Sequence, residues 1–245
     1  MPSRVQLFIT CIVDSIYPAV GEALVEVLER LGVDVEFPEA QTCCGQPGYN
    51  AGFRDDARQL ALNFLDVFEK SDAPLVTPSG SCAAMIVHGF PDLFAGDAPN
   101  LARAQALAAR TYEFSQYLVE VLGVEDVGAR FNGSLTYHPS CHLLRGLGVK
   151  DAANKLLARV RGVEVIPLAN AEECCGFGGL FAVKHGDISG AILDRKLESL
   201  RAGKAGTVVG CDMSCLMHIQ GALTRDGSPV RCMHLAEVLA GKSDS

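Results

Sequence analysis

Eight of the ten cysteines in this 245-residue chain fall into two copies of one pattern. In the first copy Cys11 closes an apolar run, Cys43-Cys44-Gly45 comes next, and Cys82 comes last. In the second, Cys141 follows Leu135-Thr136-Tyr137-His138-Pro139-Ser140, Cys174-Cys175-Gly176 comes next, and Cys215 comes last. The separations between these marks nearly match from copy to copy. The intervening segments repeat in the same order. Residues 33–38 precede the first pair as residues 163–167 precede the second, the apolar stretches 74–77 and 207–210 precede the later cysteines, and Leu118-Val119-Glu120-Val121-Leu122 matches Leu235-Ala236-Glu237-Val238-Leu239. Four matches in order mark an internal duplication, so the chain should fold as two copies of one unit.

Within each copy short β-branched runs alternate with helical periodicity. Ala19, Val20, Ala23, Leu24, Val27, Leu28 and Leu31 recur at helical spacing, as do Ala57, Leu60, Ala61, Phe64, Leu65 and Phe68. Strand–helix alternation predicts an α/β fold: two pseudo-symmetric modules, residues 1–128 and 129–245, each a small parallel sheet flanked by helices. The stretch around Gly96 (residues 91–99) reads as a loop that the second copy lacks, and residues 123–133 read as the linker. A linker so short and so weakly polar predicts modules that pack together.

Composition narrows the setting. With 21 basic against 29 acidic residues the formal charge is −8, and there is no basic run, which argues against nucleic acid and anionic membranes as partners. No apolar run reaches the roughly 18–20 residues of a spanning helix. The opening residues 1–11 read as a first strand, not a secretory signal, which predicts a cytoplasmic protein. Cysteines stay reduced there, so metal or redox chemistry is the leading explanation for ten of them.

In strand–helix units ligands gather at the C-terminal edge of the sheet. Cys11, Cys82, Cys141 and Cys215 each fall just after an expected strand, and both cysteine pairs precede glycine-rich turns, so distant sulfurs should converge on that edge. Helix N-termini there favour thiolates, the form that binds metal. Adjacent cysteines suit one tetrahedral ion poorly and a polynuclear iron–sulfur centre well. A buried reduced pair, a vicinal disulfide and a mononuclear zinc site are the alternatives.

Two copies of Cys, Cys-Cys-Gly and Cys at these spacings resemble the cysteine-rich CCG domain of heterodisulfide reductase B subunits, glycolate oxidase iron–sulfur subunits and succinate:quinone reductase E subunits. The two-module length, Pro78-Ser79-Gly80-Ser81-Cys82-Ala83, residues 172–179 (Glu-Glu-Cys-Cys-Gly-Phe-Gly-Gly), Gly227-Ser228-Pro229 and residues 234–239 resemble the lactate-utilization branch of that family. The resemblance implies an iron–sulfur cluster, [4Fe-4S] in type, in each module. Its ligands would be Cys11, Cys43, Cys44 and Cys82 in the first and Cys141, Cys174, Cys175 and Cys215 in the second. It also implies an electron-transfer subunit of a complex that oxidises L-lactate, or another small 2-hydroxy acid, working with a ferredoxin-type iron–sulfur subunit and a third small subunit. Heterodisulfide reductase-like and glycolate oxidase-like redox subunits, and a zinc-binding non-redox module, are the alternatives. The chain carries no C-x-x-C-x-x-C ferredoxin motif of the glycolate oxidase kind.

Heterodisulfide reductase relatives end each motif in C-x-x-C and use five cysteines for a non-cubane cluster. Here the first position of that C-x-x-C is Ser79 in one half and Asp212 in the other. Either could supply an oxygen ligand, Ser79 reads as a helix N-cap, and Cys211, one residue before Asp212, could substitute for the missing thiolate although its spacing differs by one. Cys232, in an apolar run, reads as a small buried hydrophobe. His138 and His142 flank Cys141 and could act on the metal or its sulfurs; His88, His185, His218 and His234 have weaker cases. Arg145 and Lys184 lie near the cysteine edges, where they could attract a carboxylate or an acidic partner. No catalytic residue is assigned.

Overall fold

A computed structural model describes residues 4–241. Residues 1–3 of the expected first strand, and residues 242–245 of the second module, lie outside the described residues. In the first half β1 (Arg4–Leu7) leads to α1 (Cys11–Ile16) and α2 (Pro18–Arg30), and β2 (Asp34–Glu36) leads to α3 (Gln46–Asn50) and α4 (Arg54–Phe68). Then β3 (Leu75–Thr77) enters α5 (Gly80–Ala84), a π-helical turn (Met85–Gly89), α6 (Phe90–Leu93) and α7 (Ala98–Ala108). The half closes with β4 (Thr111–Glu113), α8 (Phe114–Gln116) and a second π turn (Tyr117–Val121). The second half runs β5 (Arg130–His138), a π turn (His142–Gly146), α9 (Ala152–Leu157), β6 (Arg161–Val165), α10 (Leu180–Lys184) and α11 (Gly186–Gly203). It ends with β7 (Thr207–Gly210), α12 (Met213–Arg225), β8 (Arg231–His234) and α13 (Leu235–Ala240). No helix is long and apolar enough to cross a membrane among the described residues.

The strands form two four-stranded parallel sheets of one topology, β2-β1-β3-β4 and β6-β5-β7-β8. Most of the apolar spacing read from the sequence is the buried face of the helices: α2 buries Val20, Ala23, Leu24, Val27 and Leu28, and α4 buries Ala57, Ala61, Phe64, Leu65 and Phe68, whereas Ala19 is exposed and Leu31 and Leu60 are half-buried. Two expectations need correction. Residues 130–133 are not linker; β5 starts at Arg130, and a register shift between Arg130 and Gly133 lets the strand pair with β6 despite its polar, glycine-containing start. The segment around Gly96 is mostly helical: Pro91 and Pro99 sit in the first turns of α6 and α7, where a missing N–H breaks no helical bond, so only residues 94–97 form a turn.

The modules share their main core. Val5, Leu7, Leu24, Val27 and Tyr117 from the first half and Leu135, Tyr137, Leu156, Leu235 and Val238 from the second belong to one apolar cluster. Pairing is reciprocal: α13 packs on α2, and α9 packs on α8 and its π turn. Arg30 at the end of α2 donates to the carbonyls of Leu239 (3.1 Å) and Ala240 (3.0 Å), satisfying acceptors at the end of α13. A Cβ on Gly80 would lie 2.7 Å from the Cβ of Leu143, so the two halves touch closely at the start of α5.

Candidate metal centres

Each sheet reverses direction of winding beside its first strand, and the loops leaving the two strands on either side open a crevice at the C-terminal edge. In the first module Cys11 begins α1 after β1, Cys82 lies in α5 after β3, and Cys43-Cys44 lies in the loop after β2. The second module places Cys141, Cys215 and Cys174-Cys175 at the corresponding points of β5, β7 and β6. Sγ–Sγ separations are 3.8 Å for Cys11–Cys43, 3.4 Å for Cys44–Cys82 and 3.0 Å for Cys175–Cys215. These are contacts between thiols, well beyond the roughly 2.05 Å of a disulfide, and all ten cysteines are free.

The turn after each pair is built by glycine. Gly45 and Gly176 have φ of +79° and +89°, and a Cβ on Gly176 would lie 2.6 Å from the carbonyl oxygen of Ser189. This turn aims an N–H back at sulfur: Gly45 donates to Cys43 at 3.4 Å and Gly176 to Cys174 at 3.3 Å. Cys43 also accepts from the thiols of Cys11 and Cys44, which brings its pKa down to about 3. Cys174 accepts likewise from Cys141 and Cys175 and falls to about 2. The donating thiols, Cys11, Cys44, Cys141 and Cys175, are pushed up, first by giving those hydrogen bonds and then by burial. Each quartet thus holds one strongly favoured thiolate, Cys43 or Cys174, beside two thiols whose ionisation is opposed, Cys11 and Cys44 in the first and Cys141 and Cys175 in the second.

Both quartets open into a single cavity of about 250 Å³ between the modules. All eight cysteines line it, joined by hydroxyl and amide side chains such as Thr10, Gln46, Asn50 and Ser140 and by His142. No Lys or Arg lines it among the described residues. Eight convergent sulfurs with no cationic side chain on the wall suit metal centres that carry the positive charge themselves, and the thiolate-rich donor set fits iron–sulfur clusters.

Ser79 caps α5, its Oγ accepting from Cys82 N at 3.2 Å, and Asp212 caps α12, accepting from Ser214 N at 3.2 Å. These two positions also meet each other. Their backbones form an isolated antiparallel bridge, and Ser79 Oγ (3.2 Å) and Ser81 N (2.9 Å) also donate to Asp212 Oδ2. Cys211 does not take the place of the missing thiolate. One residue before Asp212 it faces away from the cavity, fully buried in the shared core with its Sγ 3.6 Å from Tyr137 Oη. Cys232 is half-buried against the apolar cluster of the second module.

Of the histidines, His142 sits on the cavity wall with Nδ1 3.6 Å from Cys141 Sγ. His138 lies nearer to Cys175 and Cys215 than its place in the chain suggests: its ligand nitrogen and their sulfurs lie within 4.8 Å of one another, all buried. Burial brings its pKa down to about 3, so the ring is neutral. His88 bonds the Gly146 carbonyl, His218 pairs with Ser189, His185 packs beside Phe181, and His234 caps α13. Arg145 donates to the Glu172 carbonyl in a shallow depression beside Cys174, and Lys184 lies over the Phe53 ring. Lys196 escaped the sequence reading. It is fully buried on α11, donating to the carbonyls of Asn170 (3.1 Å) and Ala171 (2.9 Å), and so pins the loop that leads to Cys174. Its place between Leu193 and Leu200 on the apolar face of that helix was the available clue.

The cysteine-rich domain (CCG) family model matches residues 5–87 and 135–220, one match per half, and the chain belongs to that family in tandem form. Over 240 residues it is 51% identical to the lactate utilization protein A of Geobacillus kaustophilus, covering 98% of this chain and 100% of the relative. It is 52% identical over 236 residues to the lactate utilization protein A of Anoxybacillus flavithermus, covering 96% and 98% of the two chains. A crystal structure of a hypothetical protein from Helicobacter pylori superposes with a TM-score of 0.63 at 10% identity. All of this chain is covered but only 50% of that one, so this chain spans half its length and the likeness is one of fold alone.

Proposed function

We propose that the chain is the iron–sulfur electron-transfer subunit of a cytoplasmic complex that oxidises L-lactate to pyruvate. One cluster, of the [4Fe-4S] type, would sit in each module. Cys11, Cys43, Cys44 and Cys82 hold the first and Cys141, Cys174, Cys175 and Cys215 the second. The observation that carries this is the convergence of both quartets on one cavity whose wall has no Lys or Arg among the described residues. The identity to lactate utilization proteins over nearly the whole chain supports the lactate context. Bound clusters supply one-electron exchange.

The protein's own part is to hold and shield. Gly45 and Gly176 N–H groups point at sulfur, where they stabilise charge on Cys43 and Cys174. Because no cationic side chain on the wall could pair with a carboxylate, the cavity favours electron relay over lactate binding, and oxidation of the substrate falls to a partner. That partner set is a ferredoxin-type iron–sulfur subunit and a third small subunit. The modules would divide at residues 1–128 and 129–245.

The test is iron and acid-labile sulfide analysis with electron paramagnetic resonance on protein purified without oxygen. Cys44→Ser and Cys175→Ser are each expected to remove about half of the iron, as two independent centres require. Full iron retention in either variant removes that pair from the ligand set, and iron-free wild-type protein overturns the reading.

A further inference from the structure

We propose that His138 gives an imidazole nitrogen to the metal centre of the second module, making that centre a mixed thiolate–imidazole site while the first is bound by sulfur alone. The inference rests on the iron–sulfur reading above and goes beyond its cysteine ligands. His138 ends β5 at the cysteine-bearing edge of the sheet, is 1% exposed, and has no hydrogen-bond partner for either ring nitrogen. A buried imidazole with two unanswered polar atoms is costly unless something else engages it. The groups it approaches are Cys175 and Cys215, whose sulfurs are 3.0 Å apart. A tetrahedral metal holds a nitrogen and a sulfur about 3.5 Å apart, so this group is compact enough for one metal or for two adjoining metals of a cluster.

Among the described residues the first module offers no such imidazole nitrogen. Three residues before Cys11 stands Phe8, fully buried and stacked edge-on against Phe64 with ring centroids 4.7 Å apart. Asp212 does not fill the role either, because Oδ1 is engaged by Ser214 and Oδ2 by Ser79 and Ser81. Imidazole is neutral, so a thiolate at the same position would add negative charge around iron and lower its reduction potential.

Pulsed electron paramagnetic resonance on the dithionite-reduced full chain, made with and without 15N-histidine and with iron and sulfide measured on the same samples, decides this. The expected result is a directly coupled histidine nitrogen in the wild type and in Cys44→Ser, where only the second centre remains, with the coupling pattern changing on 15N labelling. His138→Cys should lose the coupling and shift the second centre to lower potential, leaving the first unmoved. If that variant fails to fold, the labelled Cys44→Ser sample decides alone. Iron and sulfide present without a coupled histidine nitrogen overturns the inference and leaves the iron–sulfur reading standing, as does coupling that survives in His138→Cys. Wild-type protein without iron or sulfide overturns both.

Discussion

The two halves share their sulfurs and differ in what stands behind them. Gly45 lies over the Ala57 carbonyl and Gly176 over the Ser189 carbonyl, which puts α4 and α11 in register and makes Phe64 the counterpart of Lys196. Phe8 is likewise the counterpart of His138. Behind the first quartet Phe8, Phe64, Phe68 and Phe90 form a continuous aromatic cluster, with Phe64 and Phe68 centroids 4.4 Å apart. Behind the second stand a neutral imidazole and a buried ammonium. The two halves keep the same cysteines and the glycine turn that shapes them, while the walls behind differ, hydrocarbon in the first and basic groups in the second.

The largest contrast to test lies in those walls. Phe64→Ala is expected to cost about 3–5 kcal/mol, because it opens a cavity in a packed aromatic cluster. Lys196→Met should cost less than half as much in thermal or denaturant unfolding, since removing a buried charge offsets the two hydrogen bonds lost. Equal losses would erase the distinction between the walls.

Glu113 and His234 sharpen the comparison through pH. Both are fully buried N-caps at equivalent places, of α8 and α13. Burial raises the Glu113 carboxyl from 4.5 to about 7 and lowers the His234 imidazole from 6.5 to about 4. Folding favours the protonated acid at Glu113, so its contribution is complete below pH 4.5 and is lost as pH rises through 7. Folding favours the neutral ring at His234, so its contribution is complete above pH 6.5 and is lost as pH falls through 4. Each effect is at most on the order of 3 kcal/mol. Stability of Glu113→Gln relative to the wild type should climb between pH 4.5 and 7, and that of His234→Gln should climb as pH falls from 6.5 to 4. A flat difference in either case removes the corresponding cap from the account.

Asp212→Ala strands four donors, two from each half, and is expected to cost about 2 kcal/mol, with Ser79→Ala costing about half of that. Arg30→Ala, which frees the end of α13, should cost about 1 kcal/mol in the same measurement. A larger loss at Arg30 than at Asp212 would place the main clasp between the halves at the helix pair instead of at the cavity.

Much of this was legible from residue order because strand periodicity, helical spacing and cysteine register are local properties. The central strands, α2, α4 and the meeting of distant sulfurs follow from them. β4 did not, because Thr111-Tyr112-Glu113 is too short and too polar to announce itself; it is a strand because Leu75–Thr77 pairs with it. The polar start of β5 misled for the same reason. The sharing of one cavity by both quartets depends on how the modules dock, which no spacing within a module encodes. The contact between Ser79 and Asp212, far apart in the chain, is of that kind.

That contact has a consequence for how such a molecule could arise. The bridge between Ser79 and Asp212 joins equivalent positions and runs antiparallel, so it marks the axis relating the halves. In a symmetric pair of separate chains, a residue on the axis meets its own image, and Asp would face Asp in a buried setting. Joining the copies in one polypeptide lifts that constraint: one copy can supply a donor and the other an acceptor. The hydroxyl–carboxylate pair is an arrangement that a homodimer of either half could not make.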